Sequence, residues 1–361
     1  MRRVSRQDPL AGLILAGFYG QTAYDPSPRG LLDLGVGGLI VFARNVVDPD
    51  QVATLCTGLH RAGARIVAVD QEGGRVARVR APLTVWPPMG TVGATGDAEL
   101  ARKVGRGIGE EIGALGMNLD FAPCLDVNSD PLNPVIGDRA FGTTGAEVLA
   151  TGIPVLEGIQ DAGVAACAKH FPGHGHVQVD SHYGLPVCTL SREELEQHLE
   201  PFRAAVAAGV AAVMTAHVVY PAVDPDHAAT LSPAWIEGVL RGELGWDGAV
   251  LTDDLEMGAI VGQGGVGAAA VQAIRAGCDG LLVCHRRDRI EATVRALRSE
   301  ADRDPAFLAR CERSLERLDA LAERFPGPPI DPSRVGAWSD LASTLAPAVA
   351  AADPTAYRER A

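Results

Sequence analysis

Short runs of mostly apolar residues, without strict alternation of apolar and polar positions, recur along the whole chain. Eight such runs stand out, at residues 13–16, 38–42, 66–69, 118–121, 164–168, 211–215, 249–252 and 280–284. A strand with one face in water alternates apolar and polar residues, whereas a strand buried on both faces is apolar at nearly every position. The runs therefore predict eight buried strands.

Seven of these runs follow a segment of helical character that ends in Leu-Gly or Ala-Gly. Glycine just past a helix can adopt the left-handed conformation that closes it. Strands that alternate with helices indicate parallel β-α-β units, and eight such units predict a single closed (β/α)8 barrel of the TIM type. An open, doubly wound α/β sheet is the alternative, but the Gly-x-Gly-x-x-Gly turn typical of that fold does not follow the first run.

The pattern changes after about residue 325, where a Pro-Gly-Pro-Pro stretch and an alanine-rich segment begin. We predict one catalytic barrel over residues 1–325. Residues 326–361 are predicted to form a Pro/Ala-rich tail that is no separate domain and that either follows the barrel surface or is partly mobile. The 361 residues are enough to build one large core.

Charge and cysteine content narrow the class of protein. The formal net charge of −13 argues against nucleic acid or an anionic membrane as the main partner. The apolar runs are too short to span a membrane, and the start of the chain lacks the features of a signal peptide. Seven cysteines, an odd number with no Cys-x-x-Cys pair, are typical of a reducing compartment. We expect a cytoplasmic protein.

Polar and charged residues follow almost every apolar run. In a barrel of this type the C-terminal ends of the strands meet at one rim. The residues expected there are Asp70, Glu72, Arg78, Asp120, Asp126, Arg139, Lys169, His170, His217, Asp253, Asp254 and His285. Charged side chains next to buried strands are costly unless they are paired or used. They predict a pocket for a polar substrate, with a purely structural layer of ion pairs as the alternative.

The densest group of polar residues lies at 169–182, which reads Lys-His-Phe-Pro-Gly-His-Gly-His-Val-Gln-Val-Asp-Ser-His. Its proline and glycines exclude regular structure and let backbone approach a ligand. Asp180 and His182 flank one residue, so in an extended segment they face the same side. The carboxylate could then orient the imidazole for proton transfer. A loop of solvated histidines, or a metal site of His174, His176, Asp180 and His182, are the other interpretations.

Two parts of this stretch, Lys-His-Phe-Pro-Gly-His-Gly at 169–175 and Asp-Ser-His at 180–182, resemble the signature of family 3 glycoside hydrolases of the β-N-acetylglucosaminidase branch. Val-Asp-Gln-Glu-Gly-Gly-Arg-Val at 69–76 resembles the third-strand motif of that family. Leu-Thr-Asp-Asp-Leu-Glu-Met at 251–257 resembles its nucleophile segment. The resemblance covers nearly the whole predicted barrel and implies the same fold.

The resemblance also implies a role for each matched residue. Asp253 would attack the anomeric carbon, while Asp254 supports the following turn. His182, held by Asp180, would protonate the leaving sugar and then activate water, so that the configuration is retained. The residues implied in sugar binding are Asp70, Arg78, Arg139, Lys169, His170 and His217. His176 and Ala140 are local departures from the family pattern.

The implied substrate is a terminal, non-reducing, β-linked N-acetylglucosamine, carried by muropeptide fragments of cell-wall turnover. No metal or organic cofactor is implied, and we expect a monomer or weak dimer with no nucleic-acid or membrane partner. A β-N-acetylglucosaminide phosphorylase on the same scaffold is the nearest alternative. A β-glucosidase, a non-catalytic sugar-binding protein and a metal-dependent hydrolase are the more distant ones.

Overall fold

A closed barrel of eight parallel strands forms the centre of the computed structural model, which describes residues 8–181, 184–261 and 264–345. The strands are β1 Ile14–Gly17, β2 Gly38–Val41, β3 Ile66–Val69, β4 Leu119–Asp120, β5 Ala165–Phe171, β6 Ala212–Thr215, β7 Ala249–Asp254 and β8 Gly280–Val283. Each strand pairs with the next, and β8 closes onto β1. The predicted barrel is confirmed, and every strand overlaps one of the eight apolar runs.

Helices surround this barrel and connect its strands. The α-helices are α1 Pro26–Leu34, α2 Pro49–Arg61, α3 Met89–Gly93, α4 Ala98–Ala114, α5 Gly145–Asp161, α6 Glu196–Ala207, α7 Gly258–Val261, α8 Val266–Ala276, α9 Arg287–Ala301, α10 Pro305–Arg324 and α11 Ser339–Leu345. A π-helical segment, Ala234–Glu243, lies between β6 and β7. Short 3-10 helices occupy Pro9–Leu13, Ala43–Asn45, Gly137–Arg139, Ala229–Leu231 and Pro332–Arg334.

Two small antiparallel hairpins extend loops at the C-terminal side of the barrel. One pairs Gln71–Gly73 with Val76–Ala77 after β3, and the other pairs Val219–Tyr220 with Asp224–Ala228 after β6. Both therefore lie on the side where the strand ends converge.

The strands are largely apolar because both of their faces are covered. Every residue of β1, β2, β3 and β8 is buried, since side chains fill the barrel interior and helices cover its outside. The predicted glycine stops are also present. Gly35 after α1 and Gly277 after α8 have φ values of 97° and 118°, in the left-handed region that closes a helix.

A buried carboxylate with three arginines stabilises the opposite, N-terminal side of the barrel. Asp279, directly before β8, lies 2.8 Å from Arg241, 3.0 Å from Arg310 and 3.4 Å from Arg317. Its Oδ2 also accepts a hydrogen bond from the N–H of Val250 at 3.0 Å. A buried charge is tolerated when it is paired and hydrogen-bonded in this way. This cluster is structural, because chemistry in such barrels gathers at the other rim.

The chain continues past α10 along the outside of the barrel. The N–H of Asp331 donates to the carbonyl oxygen of Ala114 at 2.8 Å, and the N–H of Gly336 donates to Glu111 Oε1 at 2.7 Å. Both acceptors belong to α4. The described part of the tail is therefore held against α4, and its last residues, 346–361, lie outside the described ranges.

Two further features of the fold are the state of the cysteines and the hydropathy of the helices. All seven cysteines are buried and unpaired. Within the described ranges, no helix is both long enough and apolar enough to cross a membrane.

Candidate active site

A chain of ion pairs crosses the C-terminal rim between β3 and β5. Lys169 Nζ lies 2.7 Å from Asp70 Oδ1 and 2.7 Å from Glu72 Oε1. Arg139 donates from Nη2 and Nε to the two oxygens of Glu72 at 2.7 and 2.9 Å, and Arg78 lies 3.4 Å from Asp70 Oδ2. Positive and negative charges therefore alternate. Glu72, for which no role was predicted, links Lys169 and Arg139, which were both predicted to bind the sugar.

The charges of this chain stabilise one another. Burial opposes a charge on Glu72, but Arg139 and Lys169 outweigh it and hold the pKa of Glu72 well below its usual range. Burial likewise opposes a charge on Lys169, but Asp70 and Glu72 raise its pKa. The side chains of Lys169 and Glu72 are 2% and 1% exposed, whereas that of Asp70 is 19% exposed. The Asp70 end of the chain is thus the end open to a ligand.

Asp126 is a second buried carboxylate, and it orients the residues that follow β5. Its Oδ2 lies 2.6 Å from His170 Nδ1, and its Oδ1 accepts from the N–H of His174 at 2.6 Å. Burial opposes its charge, but His170 outweighs burial and holds the pKa of Asp126 well below its usual range. Asp126 therefore fixes the His170 ring through Nδ1 and leaves Nε2 for another partner. The sequence placed Asp126 at the rim but gave it no role.

Cys124 adds a thiol beside this pair. Ligand-type atoms of Cys124, Asp126 and His170 lie within 4.8 Å of one another. Burial, and then the charge of Asp126, raise the pKa of the Cys124 thiol well above its ordinary value. A protonated thiol is a poor metal ligand, and here Sγ donates to Asp126 Oδ2 at 3.2 Å. We interpret the three side chains as a hydrogen-bond network that supports His170.

The loop after β5 returns to the end of β7. His174 Nε2 lies 3.1 Å from Ser181 Oγ, and the N–H of Ala259 donates to the carbonyl oxygen of Ser181 at 3.1 Å. Burial, and then the charge of His170, lower the pKa of His174 to about 4, so its ring is neutral at pH 7. Asp180 is half-buried. Its predicted partner, His182, lies outside the described residues, so their pairing stays a prediction.

His176 has different neighbours from His174. Its Nδ1 lies 2.8 Å from Ser129 Oγ, which is also 3.3 Å from His198 Nε2 on α6. The two histidines of the suggested metal set thus contact separate serines, Ser181 and Ser129. This arrangement favours the interpretation of the loop as a hydrogen-bonded segment that is fastened to its surroundings.

The two aspartates at the end of β7 have different surroundings. Asp254 Oδ1 accepts from the N–H of Glu256 at 3.0 Å, and Asp254 Oδ2 lies 3.3 Å from His285 Nε2. Asp254 thus supports the turn after β7. Asp253 Oδ1 accepts from the N–H of Asp254 at 2.8 Å. The charge of Asp253 opposes the lowering of the pKa of both His174 and His217, so both rings lie within range of its electrostatic field.

His217, after β6, is completely buried. Its Nδ1 lies 2.8 Å from Thr230 Oγ1 and its Nε2 lies 3.0 Å from the carbonyl oxygen of Asp254. The structure thus brings His217 to the end of β7, with both ring nitrogens bonded to protein atoms.

Asp120, the last residue of β4, lies buried beside the ion-pair chain. Its Oδ1 accepts from the N–H of Gln71 at 2.9 Å, and its Oδ2 has no hydrogen-bond partner among the described residues. Burial raises the pKa of Asp120 well above its usual value, although the Gln71 N–H opposes the shift. The side chain is therefore a neutral acid in the folded protein at pH values where the unfolded chain has released the proton.

Asp120→Asn is expected to stabilise the protein relative to wild type, by an amount that grows as the pH rises. The folded wild type keeps a proton that the unfolded chain releases above about pH 3.9. The free energy of unfolding of the wild type therefore falls as the pH rises. Asparagine has the same shape and no such proton. Urea unfolding at pH 4 and pH 7 measures the difference. Asp120→Ala, which leaves the Gln71 N–H without its acceptor, should lose roughly 1–3 kcal/mol. A destabilised asparagine variant at pH 7 would show that the aspartate is charged.

The chain is similar in sequence to known glycosidases. A family profile described as the N-terminal domain of glycosyl hydrolase family 3 matches residues 21–317. The Beta-hexosaminidase of Thiobacillus denitrificans is 43% identical over 283 residues, which cover 76% of this chain and 78% of that protein. The Beta-hexosaminidase of Alkalilimnicola ehrlichii is 40% identical over 313 residues, covering 84% and 88%.

Solved structures of related enzymes share the fold. A family 3 β-N-acetylglucosaminidase from Paenibacillus sp. has a TM-score of 0.89 and 44% identity, covering 96% of this chain and 68% of its own. NagZ from Neisseria gonorrhoeae, in complex with N-trifluoroacetyl-D-glucosamine, has a TM-score of 0.72 and 32% identity, covering 86% and 98%. Because the family profile extends from β2 to β8 and the relatives share one activity, the chain belongs to glycoside hydrolase family 3 and is a glycosidase of its β-N-acetylhexosaminidase branch.

Proposed function

We propose that the protein is a retaining glycosidase that removes a terminal, non-reducing, β-linked N-acetylglucosamine through a covalent glycosyl-aspartate. The observation that carries the proposal is the surroundings of Asp253. Its carboxylate lies at the C-terminal end of β7 and accepts a hydrogen bond from the N–H of Asp254, and its charge acts on the buried ring of His174 in the loop after β5. A carboxylate nucleophile and a nearby proton donor are the two groups that a retaining glycosidase requires.

In the first step Asp253 attacks the anomeric carbon and the bond to the leaving oxygen breaks. His182, oriented by Asp180, gives its proton to that oxygen. In the second step His182 takes a proton from water, which attacks the anomeric carbon and releases Asp253. The hydrogen bond from the Ala259 N–H to the Ser181 carbonyl oxygen supports these roles, because it fastens the residue between Asp180 and His182 to helix α7, which follows β7.

The sugar would bind at the open end of the ion-pair chain. Asp70 and Arg78 are its most exposed members, at 19% and 15%, and a carboxylate and a guanidinium suit sugar hydroxyls as acceptor and donor. Lys169 has a third N–H beyond its two carboxylate contacts, and His170 has Nε2. Arg139 donates to Glu72 through two nitrogens, so it would contribute its remaining nitrogen, which has a contact of 3.4 Å to Val135 O.

The proposed natural substrate is a muropeptide fragment from peptidoglycan turnover, cleaved in the cytoplasm. The complex of the Neisseria gonorrhoeae relative with an N-acylglucosamine supports the sugar. The seven unpaired cysteines support a reducing compartment.

The test is incubation with an aryl N-acetyl-β-glucosaminide, with and without phosphate, with NMR detection of the first sugar product. The β-anomer of free N-acetylglucosamine, formed at a rate independent of phosphate, is the expected product. A sugar 1-phosphate formed only with phosphate would show phosphorolysis, and an α-anomer formed first would show inversion. Absence of turnover by folded protein would refute the proposed reaction.

A further inference from the structure

His217 contacts the end of β7 instead of an open cavity. Its ring is completely buried, with Nδ1 at 2.8 Å from Thr230 Oγ1 and Nε2 at 3.0 Å from the carbonyl oxygen of Asp254. A carbonyl oxygen only accepts hydrogen bonds, so Nε2 must carry a proton. This contact determines that Nε2 is protonated.

Thr230 determines the protonation of the other ring nitrogen, Nδ1. Its hydroxyl accepts from Thr215 Oγ1 at 2.9 Å and has one proton to give, either to Ala216 O at 3.0 Å or to His217 Nδ1. If the hydroxyl donated to Ala216 O, Nδ1 would have to carry a second proton in order to bond to Thr230. Burial, which outweighs the charge of Asp253, lowers the pKa of His217 and so disfavours the doubly protonated ring. The N–H of Thr230 already bonds to Ala216 O. The Thr230 hydroxyl therefore donates to Nδ1, and neither ring nitrogen is left for a sugar hydroxyl.

The carbonyl that His217 holds belongs to an irregular part of β7. The register of β7 against β8 shifts between Leu251 and Asp254. Such a shift re-aims the side chains of the strand. Within this segment the N–H of Asp254 donates to Asp253 Oδ1 and the carbonyl oxygen of Asp254 accepts from His217. Asp254 is therefore fixed on both sides of its Cα atom.

We propose that His217 is a positioning residue for the nucleophile: its Nε2–H fixes the Asp254 backbone and thereby sets the direction of the Asp253 carboxylate. This role replaces the sugar contact expected from the sequence, and it rests on the proposed function of Asp253. A nucleophile held in line with the anomeric carbon accelerates the chemical step without binding the sugar more tightly.

The two roles of His217 predict different kinetics. Loss of a sugar contact weakens binding of N-acetylglucosamine, whereas loss of positioning lowers kcat. His217→Leu removes the donor to Asp254, and His217→Gln keeps an N–H donor on a side chain of similar reach. His60→Leu is the matched control, because both nitrogens of His60 contact backbone carbonyl oxygens, Ala64 O at 3.0 Å and Gly116 O at 2.8 Å, away from the rim.

We expect His217→Leu to lower kcat on an aryl N-acetyl-β-glucosaminide by about 100-fold. The affinity for N-acetylglucosamine, measured by calorimetry, should change by less than about twofold. His217→Gln should recover a large part of kcat, and His60→Leu should keep kcat while it lowers the unfolding temperature. If His217→Leu does not fold, Thr230→Val should lower kcat by a smaller factor, because it removes the donor to Nδ1, together with the acceptor of the Thr215 hydroxyl, and leaves the His217 ring in place.

Two results would overturn the inference. One is weakened binding of N-acetylglucosamine by the His217 variants with kcat unchanged, which would make His217 a sugar ligand. The other is full kcat in His217→Leu or in Thr230→Val. Wild-type protein that binds N-acetylglucosamine but does not cleave the aryl glycoside would refute the proposed function itself, so the two failures are distinguishable.

Discussion

Asp253→Ala is expected to lower kcat on aryl N-acetyl-β-glucosaminides by at least about 10⁴-fold. The reason is that, in the proposed function, this carboxylate forms the covalent intermediate. Asp254, the adjacent carboxylate, is engaged with Glu256 N–H and His285. Steady-state kinetics with an activated aryl leaving group measure the loss.

Addition of a small external anion tests the assignment of the nucleophile more directly. Azide can occupy the space left by the carboxylate and attack from the same face, which should restore turnover and give an α-glycosyl azide from the β-glycoside. Asp226→Ala, at an exposed position in the hairpin after β6, is the control and should keep wild-type kinetics. Full activity in the Asp253 variant would move the nucleophile to another carboxylate.

Glu72→Gln is expected to cost about 3–5 kcal/mol of unfolding free energy at pH 7. Glu72 is the carboxylate between Lys169 and Arg139, and its side chain is 1% exposed. Glutamine keeps the shape but leaves two buried cations with one negative charge fewer. Removal of one member of a buried ion pair is costly because the remaining charge is neither solvated nor compensated.

The pH dependence of this loss has a definite sign. The folded pKa of Glu72 is held well below its usual range, so its contribution to stability is complete above the unfolded value of about 4.3. That contribution is lost as the pH falls from about 4.3 toward the depressed folded pKa. The difference between wild type and Glu72→Gln should therefore be constant at neutral pH and shrink below about pH 4.

Urea unfolding across this pH range measures both effects. Glu99→Gln is the matched control, because Glu99 also contacts a lysine, Lys103, at 2.7 Å but is 80% exposed. Its stability should match wild type within error, since exposed ion pairs contribute little. A Glu72→Gln protein as stable as wild type at pH 7 would show that the ion-pair chain is not needed for folding.

Local patterns were enough to predict the barrel. A strand buried on both faces is apolar at nearly every position, so the eight strands are indicated by short, mostly apolar runs in the sequence. Lys169 and His170 were correctly placed at the fifth strand end, although β5 itself extends to Phe171. The π-helical segment Ala234–Glu243 was not predicted, since no residue in it marks that hydrogen-bond pattern.

The pairings within the site could not be predicted in this way. Glu72 meets Arg139 across 67 positions, and Asp126 meets His170 across 44. Many charged residues follow the predicted strands, and no local feature of the sequence indicates which carboxylate pairs with which cation. Alternation along β7 likewise could not separate Asp253 from Asp254, because it says only that they face opposite sides.

The sequence by itself thus determined the fold, the rim on which the site lies and the family motifs, because burial pattern and motif spacing are local properties of the chain. The tertiary structure alone decided that Glu72 bridges Lys169 and Arg139, that Asp126 orients His170, and that His217 contacts the backbone of β7. Closure of the barrel brings distant strand ends together, and the resulting distances and burial determine which charges are compensated and which nitrogen atoms remain for a substrate.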